Sequence, residues 1–251
     1  MGTTTSTSYS ESSIYPITFN GRVFTVTRRS TNTMINELNP QTAATLHSVN
    51  FDSTNFTVLG DRVYFRDRTV TDFYGKRSGG GQLMVQDLQG GLAKELLPYG
   101  HEDNGGELLT AGNTLVSVLH DFDTGTAAIR SHDLITGEVT QVLYPGIPDG
   151  TFFSGSDGLY QLVQEGRTYW VNRYPLLGAS QTLLEIELDA GEEGLIADQD
   201  KGKILLLAYG ADFKVRSVLL HDIASNVTEN VPIEEFGPAA GGLDYEFVVL
   251  D

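Results

Sequence analysis

The chain has 251 residues, 40% of them hydrophobic and 10% aromatic, enough to bury a large core as one all-β domain or two small domains. Acidic residues outnumber basic ones 33 to 16, giving a formal charge of −17, which argues against nucleic acid or anionic membrane as partners because both repel such a surface. The absence of cysteine excludes disulfides and thiolate metal sites, and nothing approaches the ~18 consecutive apolar residues of a transmembrane segment.

Residues 1–13, MGTTTSTSYSESS, form a Ser/Thr-rich leader of a composition that stays flexible. It contains no apolar stretch of the kind a signal peptide needs. The leader is similar to the stretch that follows the lipidated cysteine of a bacterial lipoprotein, with Met1 in that cysteine's place. The resemblance implies an extracytoplasmic protein, secreted or lipid-anchored at the cell surface.

From residue 14 onward two hairpin patterns alternate. The first recurs as ITFNGRVFTVT (17–27), FTVLGDRVYFRD (56–67), LLTAGNTLVSVLHD (108–121), FFSGSDGLYQLVQE (152–165) and LIADQDKGKILLLA (195–208). Each joins two apolar strands through Gly, Asn or Asp, the residues that reach the positive φ angles of a tight turn. The second recurs as MINELNPQTAATLHSV (34–49), LMVQDLQGGLAKELL (83–97), IRSHDLITGEVTQVL (129–143) and VLLHDIASNVTENVPI (218–233), with LLEIELDAG (183–191) as a looser copy. Val23, Val63, Leu115, Leu159 and Ile204 are equivalent, at spacings of 40, 52, 44 and 45 residues.

A four-stranded antiparallel unit at this period is the pattern of a propeller blade. One small sheet buries neither face alone, whereas radial stacking buries both. That requirement explains second strands such as VYF and ILLLA, which are apolar on both sides. No 3.6-residue period of useful length interrupts the pattern.

The reading is therefore a single all-β domain over 14–251, a β-propeller of five four-stranded blades at roughly 14–51, 52–99, 105–146, 150–190 and 193–233. LDYEFVVLD (243–251) is left over and is expected to pair into the ring and close it, removing an exposed edge. The alternative is six blades, the last built from both termini. The repeats resemble the large β-propeller superfamily, and Asp133-Leu-Ile-Thr-Gly-Glu-Val139 is similar to the strand turns of its bacterial periplasmic members. The resemblance implies fold and leaves activity open, because propellers serve as enzymes, sensors and scaffolds.

Chemistry is sparse on this frame. Some five-bladed propellers are glycoside hydrolases, which need two carboxylates across a sugar. The expected inner strands YPITFN, NFTVLG, ELLTAG, TFFSGS and LIADQ supply only Glu107 and Asp198. No GxSxG nucleophile elbow occurs, and GKRSGGG (75–81) lacks the strand–helix context of a phosphate loop. HDFDTGT (120–126) and ADQDKGK (197–203) carry D-x-D-x-G, which makes Asp121 and Asp123 candidate calcium ligands, although the third acid and distal Glu of a calcium loop are missing. No other cofactor is expected. His132-Asp133 and His221-Asp222 occupy one slot in two blades, so these histidines, and His120 with them, read as structural.

The irregular stretch is RDRTVTDFYGKRSGGG (66–81), far longer than a hairpin requires. With Arg66, Arg68, Phe73, Tyr74, Lys76 and Arg77 it reads as a binding loop. Glu102 and Asp103 in YGHEDNGGE (99–107), and the DFDTG hairpin, should share its face. The expected function is non-catalytic binding of a protein or glycan through that face. The alternatives are a carbohydrate-active hydrolase and a structural module of a surface assembly. Asn55-Phe56-Thr57 and Asn226-Val227-Thr228 fit glycosylation acceptors in a eukaryotic secretory setting.

Overall fold

The computed structural model describes residues 13–231, apart from 20–21, 30–31, 68–80, 99, 103–104, 201 and 213. Blade 1 consists of β1 (Ser13–Phe19), β2 (Arg22–Arg29), β3 (Asn32–Leu38) and β4 (Thr45–Phe51). Blade 2 follows with β5 (Phe56–Leu59), β6 (Arg62–Asp67), β7 (Gln82–Asp87) and β8 (Lys94–Leu97). Blade 3 contains β9 (Glu107–Ala111), β10 (Thr114–Asp121), β11 (Thr126–His132) and β12 (Val139–Pro148). Blade 4 contains β13 (Thr151–Ser154), β14 (Gly158–Glu165), β15 (Thr168–Pro175) and β16 (Gln181–Glu187). Blade 5 ends the series with β17 (Gly194–Asp200), β18 (Lys203–Tyr209), β19 (Val215–Asp222) and β20 (Val227–Asn230).

Each sheet is antiparallel, and its four strands pair in sequence order. The protein is a five-bladed β-propeller. The first strands approach one another in the order β5, β9, β13, β17, with a parallel bridge between Ala111 and Gly155. Among the described residues no helix is long and apolar enough to cross a membrane. Ser13, the last residue assigned to the leader, already belongs to β1, and residues 1–12 and the expected closing strand 243–251 lie outside the described residues.

Alternation along each second strand builds the core. Val63, Leu115, Leu159 and Ile204 pack toward the preceding blade, and their neighbours Tyr64, Val116 and Tyr160 toward the next. Phe24, Val26 and Ile35 of blade 1 thus meet Val58, Val63 and Phe65 of blade 2, where the Phe51 and Phe65 rings stack at 4.7 Å. Between blades 4 and 5, Tyr160 and Val171 meet Ile204 and Leu206. On the other side of blade 5, Leu205, Leu207 and Val218 form a separate buried cluster.

Polar side chains tie blade to blade at the inner strands. The Asn55 side chain donates to the Gly106 carbonyl (3.0 Å) and accepts from the Leu108 amide (2.9 Å), which makes it a bridge from blade 2 to blade 3. Ser154 Oγ accepts from the Thr110 amide (3.0 Å) across the next boundary. Arg22 reaches from blade 1 to the Gly60 carbonyl and to Asp61 of blade 2.

The D-L-x-T-G motif has a physical explanation. Asp133 Oδ1 accepts the amides of Ile135 and Thr136, both at 2.8 Å, which closes the turn between β11 and β12. Leu134 is thereby turned into the apolar contact with blade 2. Gly137 has a φ of 78°, and a Cβ there would meet Leu96, Leu83 and Leu97 side chains within 3.1 Å. Only glycine fits the turn and the close approach together. In blade 5, Asp222 Oδ1 accepts from the Ser225 amide (2.8 Å) in the same way.

One expected copy is displaced. LLEIELDAG is the outer strand β16 with the connection that follows, and the third-to-fourth hairpin of blade 4 turns instead at residues 176–180. That turn, LLGAS, lacks the aspartate or asparagine (Asn39, Asp87, Asp133, Asp222) that marks the other copies, so the strand with Asp189 and Gly191 after it matched in its place.

Candidate binding face around His120

The face carrying the second-to-third turns and the connections between blades is built most completely at blades 3 and 4. β10 runs beyond β9, since Glu107, the first residue of β9, pairs with Val118. His120 and Asp121 therefore stand past the inner strand, at the base of the turn to β11. The imidazole lies edge-on to Phe152 of β13 (5.9 Å, 68°) and parallel to Phe122 (5.7 Å, 8°). Its Nδ1 is 2.6 Å from Asp149 Oδ1, in the connection to blade 4, and its Nε2 is 3.8 Å from Glu107 Oε2.

Three chain segments thus meet on one ring. His120 is largely buried, whereas Phe122 is 80% exposed. The turn itself dictates this presentation. Asp121 Oδ1 accepts the amides of Asp123 (3.1 Å) and Thr124 (3.3 Å), a local turn that leaves Phe122 pointing away from both strands. A cavity of about 580 Å³ opens beside it, lined by Leu119, Asp121, Phe122, Asp123, Thr126 and Ala128, among others.

The electrostatics follow from these contacts. Burial of the Glu107 carboxylate pushes its pKa above the ordinary carboxyl value, partly opposed by His120, even though nearly half of the side chain still meets solvent. The hydrogen bonds from Thr124 hold Asp121 below its ordinary value. Asp121 is therefore charged at neutral pH.

Arg66 stands apart from the loop surface to which the sequence assigned it. It lies in β6, is 2% exposed, and faces blade 3, donating from Nε to the Gly106 carbonyl (3.0 Å) and from Nη2 to the Gly105 carbonyl (2.5 Å). Arg130 of β11 donates to the same Gly105 carbonyl at 3.3 Å. Burial, with Arg130 nearby, pushes the Arg66 guanidinium down to about 9, which leaves it charged at neutral pH. Its geometry is that of a clamp on the connection leading to Glu107.

The other sequence-derived candidates divide as follows. Glu102 is exposed on the same connection. Arg68, Phe73, Tyr74, Lys76, Arg77 and Asp103 lie outside the described residues. Asp123 lines the cavity with Asp121, whose carboxylate serves the turn. Among the described residues no three His, Asp or Glu side chains are grouped to hold a metal ion. His132 is buried, with Gly137 O at 2.7 Å from Nδ1 and Ser117 Oγ at 2.7 Å from Nε2. His221 is also buried, 2.9 Å from Thr228 Oγ1. Both are structural, as their shared slot implied; His120 is the one drawn into a surface cluster.

Phe122 and Asp149 were missed as site residues. The signal for Phe122 was present, a phenylalanine between two aspartates at a hairpin tip, where no core is within reach. Asp149 carried no signal, because its meeting with His120 depends on the path the chain takes after β12, where the Asp149 amide bonds the Gly125 carbonyl. On the opposite face a groove of about 690 Å³ runs between blades 2 and 3, where Arg62 and Asp87 pair at 3.1 Å.

No family model and no curated protein matches the chain. Solved structures similar to it include the β-propeller domain of the Trilobed protease from Pyrococcus furiosus, at 13% identity over 89% of this chain and 72% of that one, with a TM-score of 0.48. A putative TolB from Agrobacterium tumefaciens is 14% identical over 86% of this chain and 79% of that one, with a TM-score of 0.49. An uncharacterized protein of Listeria monocytogenes EGD-e is 10% identical over 88% and 81%, with a TM-score of 0.45. These likenesses concern the fold alone, which rests on the five sheets themselves.

Proposed function

We propose that this protein is a non-catalytic, extracytoplasmic β-propeller that binds a protein or glycan partner through the face carrying the His120 cluster. The observation that carries the reading is Phe122, an exposed aromatic ring held flat against an anchored imidazole. An aromatic anchor fixed before binding loses little entropy and buries a large area. The strongly acidic composition and the Ser/Thr-rich, lipoprotein-like composition of residues 1–13 support the compartment.

The hydrolase alternative rests on Glu107, a carboxyl with a raised pKa of the kind a general acid needs. It faces His120 at 3.8 Å, a group that serves Asp149 as well.

Site-specific photocrosslinking separates the two faces. A benzoyl-phenylalanine at position 122 should capture a partner in the native cell envelope, and one at Leu177, exposed on the opposite turns, should not. Capture at 177 with none at 122 would overturn the assignment of the face. Turnover of a glycoside that disappears with Glu107→Gln would overturn the non-catalytic reading.

A further inference from the structure

We propose that the cavity beside Phe122 receives a cationic side chain, the ammonium of a lysine or the guanidinium of an arginine, from a polypeptide partner. This rests on the binding reading above and names the chemistry of the ligand.

Four observations converge on a cation. One face of the Phe122 ring lies on His120, and with the residue 80% exposed its other face is open to a ligand. A ring face carries the negative part of its quadrupole and attracts a cation placed over it. Among the described residues, those lining the cavity include Asp121 and Asp123 and no Lys or Arg, while Asp149 and Glu107 stand behind the imidazole. The floor, Leu119, Ala127 and Ala128, is apolar and suits the methylene stem of a long basic side chain whose charged head stays near water.

The same lining argues against the other ligand classes. An acidic group would face carboxylates with no compensating cation among the described lining residues. A neutral sugar needs several donors and acceptors around its hydroxyls, and among the described residues the lining side chains offer, besides the two aspartates and His120, the Thr126 hydroxyl alone. The net charge of −17 draws basic segments toward the whole surface, and the aromatic cavity supplies a place for one of them to dock.

Two substitutions test this without disturbing the turn. Asp121→Asn keeps the side-chain oxygen that accepts the Asp123 and Thr124 amides and removes only the charge. Phe122→Leu keeps an apolar side chain and removes the π face. The probe is acetyl-Gly-Ser-Lys-Ser-Gly-amide, compared with the same peptide carrying norleucine, titrated into isotopically labelled full-length protein and followed by NMR.

The expected result is that the lysine peptide shifts the amides of residues 119–128 and the norleucine peptide does not. Either substitution should weaken the lysine peptide roughly three- to fivefold, the size of an exposed cation–π or single-charge contact. Equal binding of the two peptides, binding of neither, or an unchanged lysine affinity in both variants would overturn the proposal. If the lysine peptide fails while position 122 still captures a partner by photocrosslinking, the cationic ligand is refuted and the binding face stands. If both fail, both readings fall.

Discussion

The Arg66 guanidinium holds the Gly106 carbonyl at 3.0 Å, so a side chain of blade 2 fixes the strand start that carries Glu107 in blade 3. Arg66→Ala should destabilise the protein by about 1.5–3 kcal/mol, the usual cost of losing a charge-assisted hydrogen bond from a buried site. Arg66→Lys should recover little, because an ammonium cannot span the Gly105 and Gly106 carbonyls as the planar fork does. Urea unfolding of the three proteins measures this directly. A lysine variant as stable as wild type would mean that charge, not fork geometry, is what the site requires.

Phe122→Ala should change stability by less than about 0.5 kcal/mol, since an exposed hairpin-tip ring contributes little to the core. Thermal unfolding checks it. A large drop would assign Phe122 a structural role as the cover of His120 and would weaken its case as an anchor.

Acid should loosen blade 1. Arg22 contacts Glu37 twice, Nε to Oε1 and Nη2 to Oε2, both at 2.7 Å, and these hydrogen bonds hold the Glu37 carboxyl below its ordinary value against the opposing effect of burial. A carboxyl lowered in the folded state adds stability that is present above its unfolded pKa and is lost as pH falls through the folded one. Wild-type stability should therefore decline from about pH 5 downward, and Glu37→Gln should flatten that part of the curve. Glu107 has the opposite sign. Its raised pKa costs stability as pH rises past the ordinary carboxyl range, so Glu107→Gln should be at least as stable as wild type at neutral pH.

Two leucines calibrate the core. Leu206 is fully buried between blades 4 and 5, and Leu206→Ala should cost about 2–5 kcal/mol. Leu177 is 91% exposed, and its replacement by Ala should cost almost nothing. Chemical denaturation of both variants tests the inter-blade packing described above.

Removal of residues 243–251 addresses ring closure. The apolar cluster Leu205, Leu207 and Val218 on the far side of blade 5 is the surface where the ring must be completed. If the terminal strand contributes there, its deletion lowers the melting temperature by several degrees and exposes a sheet edge that promotes association. An unchanged melting temperature and a monomeric deletion variant would assign closure to other residues.

The sequence by itself determined the four-stranded blade and its period, and left five or six blades open until the five sheets decided it. Strand alternation set which residues of β6, β10, β14 and β18 face each neighbour, and aspartate–glycine turns such as Asp133–Gly137 marked strand ends, because both depend on backbone geometry that is local. It also marked Phe122, between two aspartates at a hairpin tip, as a side chain with nowhere to bury. The tertiary structure decided the rest. Arg66 sits at a second-strand position equivalent to Val26, Val118 and Leu162, a site turned toward the next blade, and its long polar side chain is buried because the Gly105 and Gly106 carbonyls meet it there. Glu107 comes to His120 through the β9–β10 register, which sets it opposite Val118, whereas Asp149 comes from the connection after β12, where its amide bonds the Gly125 carbonyl, and Phe152 comes from the next blade. Periodicity fixes the side of a sheet on which a residue lies, whereas the contact across a blade boundary depends on how the sheets are stacked.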